Sequence, residues 1–244
     1  GGGARPRRRG QGWRPGVQLR TRNPRTHEFV GRVSCGCKEM RLLELFRGTG
    51  SIGRAFDAQG WEVVSLDILP GATITCNILE WDYKKYPSGH FDFIWASPPC
   101  TEYSIARSHV KTPRDFDGAD AIVRKTLEII EFFSPPLWLL ENPQTGYLKT
   151  RGILDAVPWR DVTYCKYGFP YKKKTRLWGC FPFEFRPPCK HNDECEHVVN
   201  GKHAARVQDF YKLRDRYRIP PPLCDYIAFM SDAWCKWTPS SLPS

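Results

Sequence analysis

The sequence predicts an α/β fold built on a mostly parallel, doubly wound sheet, and three observations predict it. Short apolar runs, "RLLELF", "WEVVSLDI", "FDFIWA" and "LWLLE", have the length and continuity of strands buried on both faces. Segments of helical periodicity, "SIGRAFDAQG" and "DAIVRKTLEIIEFF", alternate with them. The first strand also turns into the first helix through glycines, "RGTGSIG", as parallel sheets that bind ligands at their carboxyl edge do. A chain of 244 residues, 41% hydrophobic with nine Trp and fourteen Phe, can fill the core of one such domain.

Ordered structure is expected from Arg41, where "RLLELF" begins, and the first helix is closed by Gly60. The second strand ends at Asp67 and the third, Phe91 to Ala96, leads into Pro98-Pro99. In the following helix Ile122, Val123, Leu127, Ile130 and Phe133 fall near one face, and the strand "LWLLE" ends at Glu141. Two further strand-like runs, "DVTYCKYGFP" and "TRLWGCF", flank a lysine-rich turn. After an irregular stretch, Pro220 to Pro222 mark the start of a last helix, "PPLCDYIAFMSDAW". No internal repeat is present.

Charge is uneven along the chain. Residues 1 to 32 carry nine arginines against the single acid Glu28, a net +8 of the chain's +11. Residues 1–40 therefore read as a basic, flexible arm suited to a polyanion or to a solubilising role, and residues 41–244 as the folded domain. No apolar run approaches the roughly 18 residues of a membrane span, and no secretory signal opens the chain. The expectation is a soluble intracellular protein without a membrane partner, nuclear in a eukaryotic cell. Ten cysteines in such a chain call for reduced thiols, metal ligation or catalysis before disulfides.

The glycine turn, with Gly48, Thr49 and Gly50, lacks the lysine of a phosphate-binding loop. Paired with Asp67 at the end of the next strand, it describes a nucleoside-cofactor site in which the carboxylate takes the ribose hydroxyls. Phe46 at its mouth could face a cation. Cys100 follows a proline pair that stiffens the exit from its strand. Cys100 and Glu141 both follow parallel strands, so both should open onto the edge that carries the glycine turn. A thiol nucleophile beside an acid can attack an electron-poor ring while the acid supplies a proton or hydrogen bond.

The segments "ELFRGTGSIG", "SPPCTEYS", "ENPQTG" and "YGFPYKKKTRLW", in this order, resemble the successive motifs of the cytosine-C5 DNA methyltransferases, with an echo in "IPPPLCDYIA". The resemblance covers about Arg41 to Trp178 and implies a Rossmann-like class I methyltransferase fold. It implies S-adenosylmethionine as cofactor and cytosine in a polynucleotide as substrate, with double-stranded DNA as the leading choice. By the same resemblance Cys100 attacks ring carbon 6 and Glu141 contacts N3 and the exocyclic amine. Asp67 holds the cofactor ribose, Ile68 beside it belongs to the cofactor site, and Asn77-Ile78 border the adenine. The cytosine must be extruded, because a stacked base hides its faces from a thiol. Cytosine in structured RNA, and a catalytically silent nucleic-acid-binding relative, stand as alternatives.

The chain departs from the family pattern at Pro143, where valine is common, and at "PYKKKTR". Lys173 stands where the first arginine of that motif belongs, and the base-contacting role is assigned to Arg176. The loop after Cys100, with Arg107, His109, Lys111 and Arg114, is a candidate lid. The family's target-recognition region is reduced to a small insert of about residues 181–218. Within it "CKHNDECEH" offers Cys189, His191, Cys195 and His197, and His203 lies six residues further on. Four of these five could ligate a structural zinc; a polar loop is the alternative. Cys35 and Cys37 read as linker.

Overall fold

The computed structural model describes residues 38–109, 111–190, 195–209 and 213–237. The basic arm up to residue 37, with Cys35 and Cys37, lies outside the described residues, as does His191.

Strand alternation builds the core. In β1 (Arg41–Leu45) Leu42 packs to one side of the sheet and Leu43 to the other. The same double burial holds for β4 (Phe93–Ala96), which explains an apolar run with no polar partner residues. With β2 (Glu62–Asp67), β3 (Ile74–Thr75), β5 (Leu137–Pro143), β6 (Trp159–Thr163) and β7 (Lys174–Cys180), these strands form one seven-stranded sheet in the order β3-β2-β1-β4-β5-β7-β6. Pairing is parallel from β3 through β5, and β7 runs antiparallel to both β5 and β6. The order reverses between β1 and β4, and there the carboxyl ends leave a crevice for a ligand.

Helices cover both faces. On one, α1 (Ser51–Ala58) buries Ile52, Ala55 and Phe56 against α4 (Pro221–Trp237), whose Leu223, Ile227 and Ala228 face it. On the other, α2 (Phe116–Phe133) buries Val123, Ile130 and Phe133. Phe133 is fully buried, and its truncation to alanine would cost about 3–5 kcal/mol. The α2 helix begins earlier than the apolar periodicity suggests, because the Asp115 side chain caps it by accepting from Gly118 N at 2.8 Å. It stops at Ser134, before Pro135-Pro136.

Two expectations about strands need correction. β5 continues past Glu141 to Pro143, since β7 supplies Arg176 and Thr175 as partners for Asn142 and Pro143. "DVTYCKYGFP" is not one strand: β6 ends at Thr163, and Tyr164–Tyr167 turn as a 3₁₀ segment closed by Gly168. Within the insert, β8 (Val198–Val199) and β9 (Lys202–His203) form a small hairpin, followed by the single turn α3 (Leu213–Arg216). Among the described residues no helix is long and apolar enough to cross a membrane.

Candidate active site

The glycine turn is built from left-handed backbone. Phe46, Gly48 and Gly50 have φ of 59°, 51° and 65°, a region that favours glycine and costs a bulky residue such as phenylalanine on the order of 1–3 kcal/mol. The turn is held by Arg47 N donating to Leu66 O at 3.1 Å and Gly48 N donating to the Asp67 carboxylate at 2.8 Å. Asp67 also accepts from Leu69 N at 2.9 Å. These bonds leave lone pairs on both carboxylate oxygens for a further donor.

A cleft of about 320 Å³ opens at this edge of the sheet. Phe46, Gly48, Thr49, Asp67, Ile68, Asn77 and Ile78 line it, while Gly50 stands behind them as the N-cap of α1. Ile68 and Leu69 keep about two-thirds of their surface exposed at the rim, apolar area that a flat ring could cover. Sequence reasoning missed Glu44, which lines the cleft from inside β1. Its signal was a lone carboxylate amid the apolar "RLLELF". Burial pushes its carboxyl up to about 7, against the opposing hydrogen bond from Gly53 N at 3.1 Å.

Cys100 and Glu141 line the same cleft. After β4 ends, Ser97 N still pairs with Leu45 O at 3.2 Å, so the proline pair leaves the sheet from a fixed point. The Asn142 side chain then donates to Pro98 O at 3.0 Å, tying that turn to β5. Gly146 lets the following loop close in: a side chain there would meet the Pro143 and Tyr103 carbonyls at 3.2 Å each. Glu141 is buried, with Tyr164 Oη donating to it at 3.3 Å and Lys173 Nζ forming an ion pair with it at 3.6 Å. Burial pushes the Cys100 thiol up; the Lys173 ammonium opposes that rise and the Glu141 carboxylate adds to it.

The structure does not bring Arg176 to this cleft. Arg176 lies in register with Asn142 and Asp161, one residue out of phase with Glu141, which pairs with Leu177. Its guanidinium is bound bidentately by Asp161, at 2.6 and 2.9 Å, and stacks 3.5 Å from the centre of the Trp159 ring. Strand alternation thus turns it to the opposite face, and Lys173, 4.8 Å over the Tyr164 ring, is the cation beside Glu141. The loop after Cys100 is likewise tied down: Arg107 pairs with Glu102 at 2.8 Å, and Arg114 sits 5.1 Å over the Tyr147 ring. Tyr103 is buried and donates to Asp120 at 2.8 Å. Lys111 is exposed, and the His109 side chain is outside the described set.

A wider groove continues from the cleft, with Cys100, Pro143, Lys173 and Tyr217 lining both. Among the described residues its walls carry Lys172, Lys174, Lys190, Lys202, Arg206 and Arg216 against the single acid Asp209, an electropositive track fit for a polyanion. Beside it, the ligand atoms of Cys165, Cys189, Cys195 and His203 lie within 4.8 Å of one another. The predicted cluster is therefore revised. His197 faces Glu196 at 3.3 Å, and Cys165, from the turn after β6, takes a place that no local pattern announced.

A family model for C-5 cytosine-specific DNA methylase matches residues 40–148. The chain is 31% identical over 210 residues to a probable DNA (cytosine-5)-methyltransferase of Frog virus 3 (isolate Goorha), covering 75% of this chain and 96% of the relative. It is 25% identical over 128 residues to the type II methyltransferase M.AplI of Arthrospira platensis, covering 49% of this chain and only 36% of that longer protein. Among solved structures, the S. pombe Dnmt2 methyltransferase is similar at 16% identity and a TM-score of 0.42, covering 72% of this chain and 61% of that one. With its match to the viral relative spanning nearly that protein's whole length, this chain belongs to the C-5 cytosine-specific DNA methylase family.

Proposed function

We propose that this chain methylates carbon 5 of cytosine in DNA through a covalent adduct with Cys100. One observation carries the reading: Cys100 and Glu141 share a cleft with the glycine turn and Asp67, so a methyl donor and a cytosine can meet in it. S-adenosylmethionine suits the residues present. The Asp67 carboxylate can accept from its ribose hydroxyls, Ile68 and Ile78 can cover its adenine, Asn77 can bond that ring's edge, and Phe46 can face its sulfonium. When bound, that cofactor supplies the methyl group as an electrophile.

The chain's own residues then divide the work. Cys100, as thiolate, adds to carbon 6 of the ring, which makes carbon 5 nucleophilic. Glu141 bonds N3 and the exocyclic amine and so favours the electron shift onto the ring. Lys173, paired with Glu141 at 3.6 Å, supplies positive charge that favours the Cys100 thiolate. After methylation a base removes the carbon 5 proton, the carbon 5–carbon 6 double bond re-forms, and the carbon–sulfur bond breaks to return the thiolate. The cytosine must leave the helix for this, and the lysine-lined groove can hold the phosphates on either side.

In this reading residues 41–244 are the methyltransferase domain, with about 181–218 as a small recognition insert. The basic arm adds phosphate contacts, and a DNA substrate implies an intracellular, in eukaryotes nuclear, site of action. The test is nucleoside mass spectrometry after incubation with S-adenosylmethionine and either duplex DNA or tRNA. 5-Methyldeoxycytidine in the DNA arm is the expected result. Methyl transfer confined to tRNA would move the substrate to RNA, and none in either would remove the activity.

A further inference from the structure

We propose that Cys165, Cys189, Cys195 and His203 form a structural zinc site that clasps the insert to the β6–β7 hairpin. The ligands come from three places: Cys165 from the turn between β6 and β7, Cys189 and Cys195 from the irregular chain after β7, and His203 from β9. Cys189 Sγ lies 3.7 Å from His203 Nε2. Zinc bonds of about 2.3 Å to sulfur and 2.0 Å to nitrogen in a tetrahedron set ligand separations of roughly 3.5–3.8 Å, so this pair is already spaced for ligation. All three cysteines are buried, all are free thiols, and among the described residues Val198 is the one other apolar side chain packed on them. Three thiols with so little apolar company make a poor hydrophobic core, whereas three sulfurs and an imidazole are the donor set of a closed zinc site. Thr163 Oγ1 accepts from Cys189 N at 2.8 Å and fixes the ligand loop from behind.

The clasp has a mechanical consequence. Cys165 precedes the Lys172–Lys174 turn in the same β6–β7 connection, and Ala205, just past His203, pairs with Tyr171 and donates to Pro170 O at 3.3 Å. The ion and this bridge fix the chain that leads into the lysine turn, and with it the position of Lys173 beside Glu141. That second step rests on the methyltransferase reading; the metal site does not.

The full chain, purified without chelators, should contain about one zinc per polypeptide by elemental mass spectrometry. Cobalt exchanged into the wild-type protein should give the visible bands and thiolate charge-transfer absorption of tetrahedral coordination, a readout that needs no variant. Cys165→Ser should reduce bound metal about tenfold or more, while His197→Ala should leave it unchanged. Metal-free protein, another metal, zinc retained by Cys165→Ser, or a disulfide among the three cysteines in a non-reducing peptide map would overturn the site. Removing zinc should lower methyl transfer about 10- to 100-fold, reversibly, with cofactor affinity unchanged. Loss of cofactor affinity alongside would mean general unfolding and overturn the positioning step. Bound zinc in a protein inactive on every polynucleotide would leave the site standing and sink the methyltransferase reading.

Discussion

The Asn142 amide donates to the Pro98 carbonyl at 3.0 Å, so the strand that carries Glu141 grips the turn that carries Cys100. Asn142 is fully buried and adjoins Glu141 in sequence, which makes this bond a direct mechanical link between acid and thiol. Replacing it with alanine strands the Pro98 carbonyl, at a cost of about 1–3 kcal/mol. Because a misplaced reacting group can lose about 10²-fold in rate, Asn142→Ala should lower single-turnover methyl transfer by roughly 10- to 100-fold. Cofactor affinity, measured by calorimetry, should not change. Wild-type turnover in the variant would end this positioning role.

Lys173 and Arg176 should separate cleanly. Lys173→Gln removes the ammonium that opposes the rise of the Cys100 thiol, so alkylation of that thiol near neutral pH should slow several-fold. Arg176→Ala breaks a bidentate pair and strands Asp161, so it should cost about 1–3 kcal/mol of stability and leave Cys100 reactivity alone. Iodoacetamide kinetics with peptide mapping, beside denaturant unfolding, checks both. The opposite pattern would return the base-contacting role to Arg176.

That reversal marks how far the sequence could be read. Strand period and glycine punctuation sufficed to place Asp67, Cys100 and Glu141 on one edge, because a parallel sheet gathers its carboxyl ends whatever the loops do. They did not suffice for "KKKTR", where a shift of one residue turns a side chain to the other face of the sheet. Cys165 was beyond reach for a different reason: its partners are distant in sequence and only the folded insert brings them to it. The hairpin around Asn200-Gly201 was within reach, since that dipeptide between "VV" and "KH" is a strong turn signal.

Glu44 makes stability depend on pH. Its folded carboxyl titrates near about 7 against 4.5 for an ordinary glutamate, so between these values the native state binds more protons than the unfolded one. Stability therefore falls as pH rises through this window, and the penalty, about 3 kcal/mol, is complete above it. Glu44→Gln keeps an acceptor for Gly53 N and carries no charge. It should be more stable than wild type by about that amount near pH 8 and nearly equal to it near pH 5. Urea unfolding at the two pH values tests this, and a difference independent of pH would contradict it.

Asp67→Ala should weaken S-adenosylmethionine binding about 10- to 100-fold, because a hydroxyl bonded to a charged acceptor is worth roughly 1.5–3 kcal/mol. The same carboxylate orders the glycine turn through Gly48 N, so Asp67→Asn, which retains one oxygen acceptor, should lose less. Calorimetry giving equal affinity for all three proteins would take Asp67 out of the site.

The thiol offers the strictest test of mechanism. If Cys100 adds to carbon 6, its release requires removal of a proton from carbon 5, and fluorine at that carbon cannot leave as a cation. A duplex oligonucleotide with 5-fluorocytosine at the target should then be methylated and held. The adduct should survive denaturation, require S-adenosylmethionine, and map by mass to the peptide "SPPCTEYS". Cys100→Ala should abolish adduct and methyl transfer but keep cofactor affinity, since the thiol supplies covalent chemistry to a pocket that other residues build. Glu141→Gln keeps the shape of the buried acid while losing its charge, so adduct formation should persist at a rate lower by about 10²-fold. Efficient carbon 5 methylation by the Cys100→Ala protein would defeat the covalent route, whatever the substrate.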